Sequence, residues 1–259
     1  MANFQTHITV GVLTSGLIST VAMAAAVVTP SDAIFLTIAG TIGSIMPDID
    51  LEGSKQSRTV FGGFGIFFAF IALFHYSQFL SIAELCLLWL AIFVTVRYFI
   101  WRLFHEFTVH RGLFHSLLAN IFFGVTGATI FYNLLEKSDT VAWMGGAIIF
   151  IGALTHLLLD ELYSIDFAGN RVKRSFGTAL KLFDYKKPTS AILMTVVLAG
   201  VMYVAPPAGN FYTLVKSSDN WMYLQTRLLP KGKWFDIKEL RLKLADSDDE
   251  APEITGSVD

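Results

Sequence analysis

Apolar residues run along this chain in stretches of about twenty, broken by polar groups few enough to name individually. A hydrocarbon core of about 30 Å is crossed by roughly 20 apolar residues in a helix. That rule predicts helices near 8–28, 33–46, 60–80, 82–104, 113–135, 141–160 and 190–206. The second reaches only about 21 Å at a rise of about 1.5 Å per residue and stops at Pro47. Gly40, Gly43 and Ser44 near its end suit close helix packing. The pattern therefore predicts an all-α polytopic transmembrane bundle of about six to seven spans over residues 1–206, with a C-terminal extension over 207–259. In that extension, aromatic and basic residues from Trp221 to Lys243 predict a small folded appendage, and Asp246, Asp248, Asp249 and Glu250 predict a disordered end.

Composition agrees with a membrane protein: 54% of the 259 residues are hydrophobic and 15% charged, with a mean hydropathy of +0.57. No basic residue precedes the first apolar stretch, which predicts a retained helix rather than a cleaved signal peptide. A formal charge of −2 offers no concentrated basic surface, so nucleic-acid docking is not expected. The single cysteine, Cys86, excludes a disulfide framework and a Cys-based zinc motif, leaving His and carboxylate as metal ligands.

Charge also orients the threading. Loops returning to the N-terminal side carry Lys55 and Arg58, then Arg97, Arg102 and Arg111, then Arg171, Lys173, Arg174, Lys181, Lys186 and Lys187, whereas the opposite short loops carry Lys137. The positive-inside rule makes the N-terminal face cytoplasmic. The tail is then external if the last helix spans, and cytoplasmic if that helix lies in the interface.

Four polar clusters converge on this predicted cytoplasmic face: His7, Pro47-Asp48-Ile49-Asp50, His110-Arg111-Gly112-Leu113-Phe114-His115-Ser116, and Thr155-His156-Leu157-Leu158-Leu159-Asp160. His156 and Asp160, four residues apart, project from one face of a helix and can reach one cation. Alone, that spacing more often describes a hydrogen-bonded pair. Asp48 and Asp50 read as solvated acids at a helix end, or as carboxylates whose repulsion a cation relieves. His110 and His115 can face one cavity across the turn that Gly112 permits. Arg111 is either a topology anchor or an anion clamp, and His7 is an interfacial histidine unless the other clusters recruit it. His105, Glu106 and Glu161 lie on the same side; His105 and Glu106 read as caps of the fourth helix, and Glu161 as solvated or supporting the site. His75 falls on the opposite face, and Arg97 snorkels or pairs. Mixed imidazole and carboxylate ligands suit Zn²⁺ first, with Mn²⁺ or Fe²⁺ as alternatives. Seven candidates exceed a tetrahedral set, which allows more than one metal or a supporting outer layer.

The ordered set His7, PDID at 47–50, HRGLFHS at 110–116 and THLLLD at 155–160 resembles the membrane-bound metal-dependent hydrolase family of the LexA-regulated inner-membrane type, over roughly residues 1–190. Phe114 stands where that family commonly has Thr, and Tyr163-Ser164-Ile165-Asp166 where it tends to have a Thr-Pro-Gly turn. The resemblance implies metal ligands at His7, Asp48, Asp50, His110, His115, His156 and Asp160. The ligand pattern is also distantly similar to zinc-dependent phospholipase C enzymes, which implies phosphoester substrates.

These readings lead to an integral-membrane hydrolase in which a divalent metal activates water. Asp48 or Asp50 acts as ligand or base, Arg111 clamps an anion, and an interfacial phospholipid or other amphipathic phosphoester is the substrate. A divalent-metal transporter or sensor would use the same ligands for transit. A structural metal would staple the helices without catalysis.

Overall fold

The computed structural model describes residues 3–51, 54–107, 113–166, 171–172, 180–183, 185, 188–227 and 229. The chain divides into two units, Met1–Ser217 and Ser218–Asp259. Helices of the first unit are α1 (Phe4–Ala24), α2 (Pro30–Gly43), α3 (Lys55–Tyr76), α4 (Ile82–Val94), α5 (Trp101–Phe107), α6 (Leu117–Asn133), α7 (Asp139–Leu162), α8 (Pro188–Tyr203) and α9 (Gly209–Lys216). A 3-10 turn, Met46–Asp50, follows α2, and a π-helical segment, Thr95–Ile100, joins α4 to α5. A two-residue antiparallel ladder pairs Ile165 with Val172 and Asp166 with Arg171. The described part of the second unit includes α10 (Ser218–Arg227).

Helix starts follow local chemistry. Asn3, Thr29, Ser54, Ser81, Ser116 and Ser138 each accept a first-turn backbone N–H, which satisfies a donor that the helix itself leaves unpaired. Ser81 and Glu84 complete a capping box. Pro30 sits in the first turn of α2, where its missing N–H costs nothing. The cap at Asn3 starts α1 four residues before the predicted 8–28 boundary, so His7 lies inside the helix instead of ahead of it.

Among the described residues, four helical stretches are long and apolar enough to cross a membrane: Phe4–Ala24, Lys55–Tyr76, Ile82–Glu106 and Asp139–Leu162. Leu117–Asn133 and Pro188–Tyr203 are shorter apolar helices. The core forms where α1, α2 and α6 surround α7, along a seam of small residues. A Cβ placed on Gly43 would come within 2.8 Å of Ile149 Cα, and one on Gly124 within 2.8 Å of the Gly146 carbonyl oxygen. Backbones meet here at distances that glycine alone permits. Ala39, Ala119, Phe123, Ile149 and Ala153 fill the space alongside.

The opposite end is tied by polar contacts. Lys137 bridges to Asp32 at 2.9 Å, and the Trp143 indole N–H donates to the carbonyls of Pro206 and Pro207 at 3.1 and 3.2 Å. These contacts fix the α6–α7 and α8–α9 connections, leaving the other end of α7 to the histidines and aspartates.

Candidate metal centre

Two stripes of small side chains aim histidines at one point. The buried face of α1 runs His7, Gly11, Ser15, Ser19 and Ala22, mostly at intervals of one turn. Gly11 packs on Ser44 at the end of α2, and Gly152 of α7 packs on the backbone of Gly40 and Ser44. One turn beyond Gly152 stands His156, and one turn before Gly11 stands His7. Their rings stack with centroids 3.7 Å apart and planes 11° from parallel. His156 Nδ1 donates to the Ser44 carbonyl at 2.7 Å, so in the neutral imidazole the lone pair resides on Nε2.

That lone pair faces carboxylate. His156 Nε2 is 3.5 Å from Asp48 Oδ1 and 3.9 Å from Asp160 Oδ2. His115 Nε2 is 3.2 and 3.9 Å from the same two atoms. Ligand atoms of Asp48, His115, His156 and Asp160 all lie within 4.8 Å of one another, and all four residues are buried. Charged hydrogen bonds between nitrogen and carboxylate close to about 2.7–2.9 Å, shorter than any of these separations. Two ligands bound to a tetrahedral cation at about 2.0–2.1 Å stand about 3.3–3.4 Å apart. The 3.2 and 3.5 Å separations to Asp48 match such a ligand pair and the 3.9 Å ones to Asp160 exceed it, so the group could hold a cation, and its donor set suits Zn²⁺, Mn²⁺ or Fe²⁺.

A further layer orients these groups. The Gln56 amide donates to Asp48 Oδ2 at 3.1 Å, leaving Oδ1 toward the imidazoles. Ser57, the next residue of α3, is fully buried and accepts from the Trp101 indole N–H at 2.9 Å. Its hydroxyl is then available to donate to His105 Nε2, 2.8 Å away, which joins α3 to α5. Gln56 and Ser57 were absent from the sequence-derived candidates, because polar residues in a first helical turn read as solvated. Ser54 as a cap was the available signal that this turn is ordered.

Of the seven expected ligands, Asp48, His115, His156 and Asp160 converge. His7 lies beside them, with Nε2 3.4 Å from Asp160 Oδ1. Asp50 is buried in the same turn but outside the four-residue group. His110 and Arg111 lie outside the described residues, so the expected anion clamp does too. Ser116 caps α6 through Ala119 N–H. His105 packs within the bundle against Trp101, and Glu106 pairs with exposed Arg102 at 3.4 Å, so neither belongs to the metal group.

Comparison with curated proteins and with solved structures gives no match. Comparison with family models matches residues 1–204 to the family described as YdjM inner membrane protein. The match takes in every helix from α1 through α8 and all four residues of the buried His/Asp group, and on that extent the chain belongs to the YdjM inner membrane protein family.

Proposed function

We propose that this protein is an integral-membrane, metal-dependent hydrolase acting on phosphoesters at the membrane surface. The observation that carries this reading is the convergence of Asp48, His115, His156 and Asp160 at one end of α7. Asp48, Asp160, His115 and His156 would hold the ion, with Zn²⁺ the first candidate. When bound, such an ion supplies Lewis acidity and activates water near neutral pH. Gln56 keeps Asp48 turned toward the ion, and the Ser44 carbonyl keeps His156 in the ligating tautomer. Asp50, in the same buried turn, is the carboxylate assigned to accept a proton.

The Lys and Arg excess on the loops of this face supports a cytoplasmic N-terminus and a cytoplasmic metal face. An apolar groove of about 610 Å³ begins at Leu117, two residues after His115, and is lined also by Leu118, Leu182, Phe183, Ile192 and Val196. It supports an amphipathic substrate whose acyl chain stays in the apolar layer while its phosphate meets the ion. A transport path would carry ligands through the membrane depth. Further down the buried face of α1, among the described residues, stand Ser15 and Ser19, which bring neither carboxylate nor imidazole.

The test is metal analysis and hydrolysis of phospholipid vesicles by purified wild type, Asp48→Ala and His156→Ala. The reading expects stoichiometric metal and turnover in the wild type, with both lost in each variant. Folded wild type that takes up no divalent ion would overturn it. Metal uptake without hydrolysis would leave a structural staple.

A further inference from the structure

We infer that the seam between α3 and the π-helical segment, carrying Arg58 and Arg97, binds the phosphate of an anionic phospholipid from the leaflet at the metal-bearing face. The site shares no residue with the metal group and does not depend on the hydrolase reading.

Arg97 stands in Ile82–Glu106, a helical stretch long and apolar enough to cross a membrane. At about 1.5 Å per residue it lies about 22 Å along the helix from Ile82, inside a hydrocarbon layer of about 30 Å. An ionised group at that depth is costly and is kept where a partner or a function needs it. Among the described residues the Arg97 guanidinium has no hydrogen bond and no ion pair; its contact is a cation–π one, 5.3 Å from the centre of the Tyr98 ring. The carboxylates between Lys55 and Phe107 are Glu84 and Glu106, and both are engaged elsewhere. Glu84 closes the capping box with Ser81 at the start of α4, and Glu106 pairs with Arg102 at 3.4 Å. A guanidinium stays charged in any setting, so the anion that meets Arg97 comes from outside the chain.

The neighbouring surface is shaped to admit one. Ser57 meets Trp101, Gly62 meets Arg97 and Gly65 meets Phe93, so α3 and the π-helical segment run antiparallel in close contact. A Cβ on Gly62 would lie 3.8 Å from both Cδ and Nε of Arg97. The guanidinium thus rests against bare backbone, and neither Gly62 nor Gly63 brings a side chain to cover it. Arg58 precedes Gly62 by one turn on the same face of α3, is exposed, and forms no ion pair among the described residues. Two guanidinium forks therefore flank one seam, Arg58 toward the metal-bearing end and Arg97 a turn deeper. The aliphatic stem of Arg97 lets its head rise toward the phosphate layer, and planar forks match phosphate oxygens. Arg97 also lies within a π-turn, a form of helix that recurs at functional sites. Basic pockets between membrane helices on the cytoplasmic side favour headgroups of net negative charge.

The test titrates full-length protein in detergent with phosphatidylglycerol, or with phosphatidylcholine of the same acyl chains, and counts bound lipid by native mass spectrometry. Wild type is expected to hold one phosphatidylglycerol about 10-fold more tightly than phosphatidylcholine. Arg97→Gln and Arg58→Gln are each expected to weaken phosphatidylglycerol binding by about 5-fold or more. Arg58 is exposed, so its variant keeps the test alive should Arg97→Gln misfold, which circular dichroism reports. Asp48→Ala is expected to retain the lipid, and excess inorganic phosphate to leave it in place. Equal affinity for the two lipids, or unchanged binding in the folded arginine variants, overturns the inference and leaves the hydrolase reading untouched, since metal does not enter the measurement. Loss of the lipid in folded Asp48→Ala would assign it to the metal centre, and displacement by phosphate would assign the seam to a free anion; either result overturns the inference.

Discussion

Helix α7 and the stretch Ile82–Glu106 are nearly equal in hydropathy, 1.8 against 1.9, yet 56% of the spanning window is buried in the first and 6% in the second. The difference lies in side-chain size. Helix α7 presents Gly145, Gly146, Gly152 and Ala153 to its neighbours, so α2 and α6 approach to backbone contact. The other stretch carries Leu87, Leu90, Phe99 and Leu103 outward, with aromatic stacking such as Trp89 on Phe93. Without a hydrophobic drive between helices in lipid, close van der Waals contact selects which helices associate. The small-residue helix becomes the core and carries the polar centre, and the bulky one faces lipid.

The largest effect should follow from breaking that close approach. A side chain at Gly152 would strike the Gly40 carbonyl oxygen and come within 3.0 Å of Ser44 N, which is backbone and cannot turn aside. Gly152→Val is expected to cost more than the roughly 1–3 kcal/mol of ordinary overpacking, seen as loss of monodisperse protein after extraction. Gly63 of α3, where an added Cβ meets nothing within 4 Å, provides the control. Gly63→Ala should leave the melting temperature unchanged or raise it, by up to about 1 kcal/mol of helix preference. Equal loss in both variants would sink the argument from packing.

This seam was partly legible. Gly40, Gly43 and Ser44 marked the end of α2 as a contact, and the polar clusters marked the face on which Asp48, His115, His156 and Asp160 meet. Placing His7 required recognising Asn3 as a cap, a one-residue signal that a hydropathy window averages away. The π-helical segment Thr95–Ile100 contains neither Pro nor Gly, so nothing local announced it. Helix α9 is short and amphipathic, below the length a spanning rule detects. The pairing of Gln56 with Asp48 depends on where α3 restarts after the turn, which is a tertiary fact.

Ser57→Ala should come next in size. It removes the acceptor of the Trp101 indole N–H inside the bundle, and an orphaned buried donor costs about 1–3 kcal/mol. A fall in melting temperature with metal content unchanged would assign Ser57 to the α3–α5 junction; metal loss at full stability would move it into the centre. Gln56→Ala should leave the fold alone and weaken metal binding by about 10–100-fold, the usual penalty for an outer-layer partner, measured by competition with a chelator. Unchanged affinity would mean that Asp48 needs no help to present Oδ1.

The smallest effect is expected on the lipid-facing side. Leu87 is 68% exposed on α4, and α4 has no fully buried residue. In a bilayer its side chain exchanges one apolar neighbour for another, so Leu87→Ala should change stability by no more than about 0.5 kcal/mol, read by thermal melting in lipid nanodiscs. A buried Leu in a packed core loses about 2–5 kcal/mol on the same truncation. Destabilisation of that order at Leu87 would mean that α4 is covered after all, by a second copy or another chain. Hydropathy would then have failed to separate core from periphery because both were core.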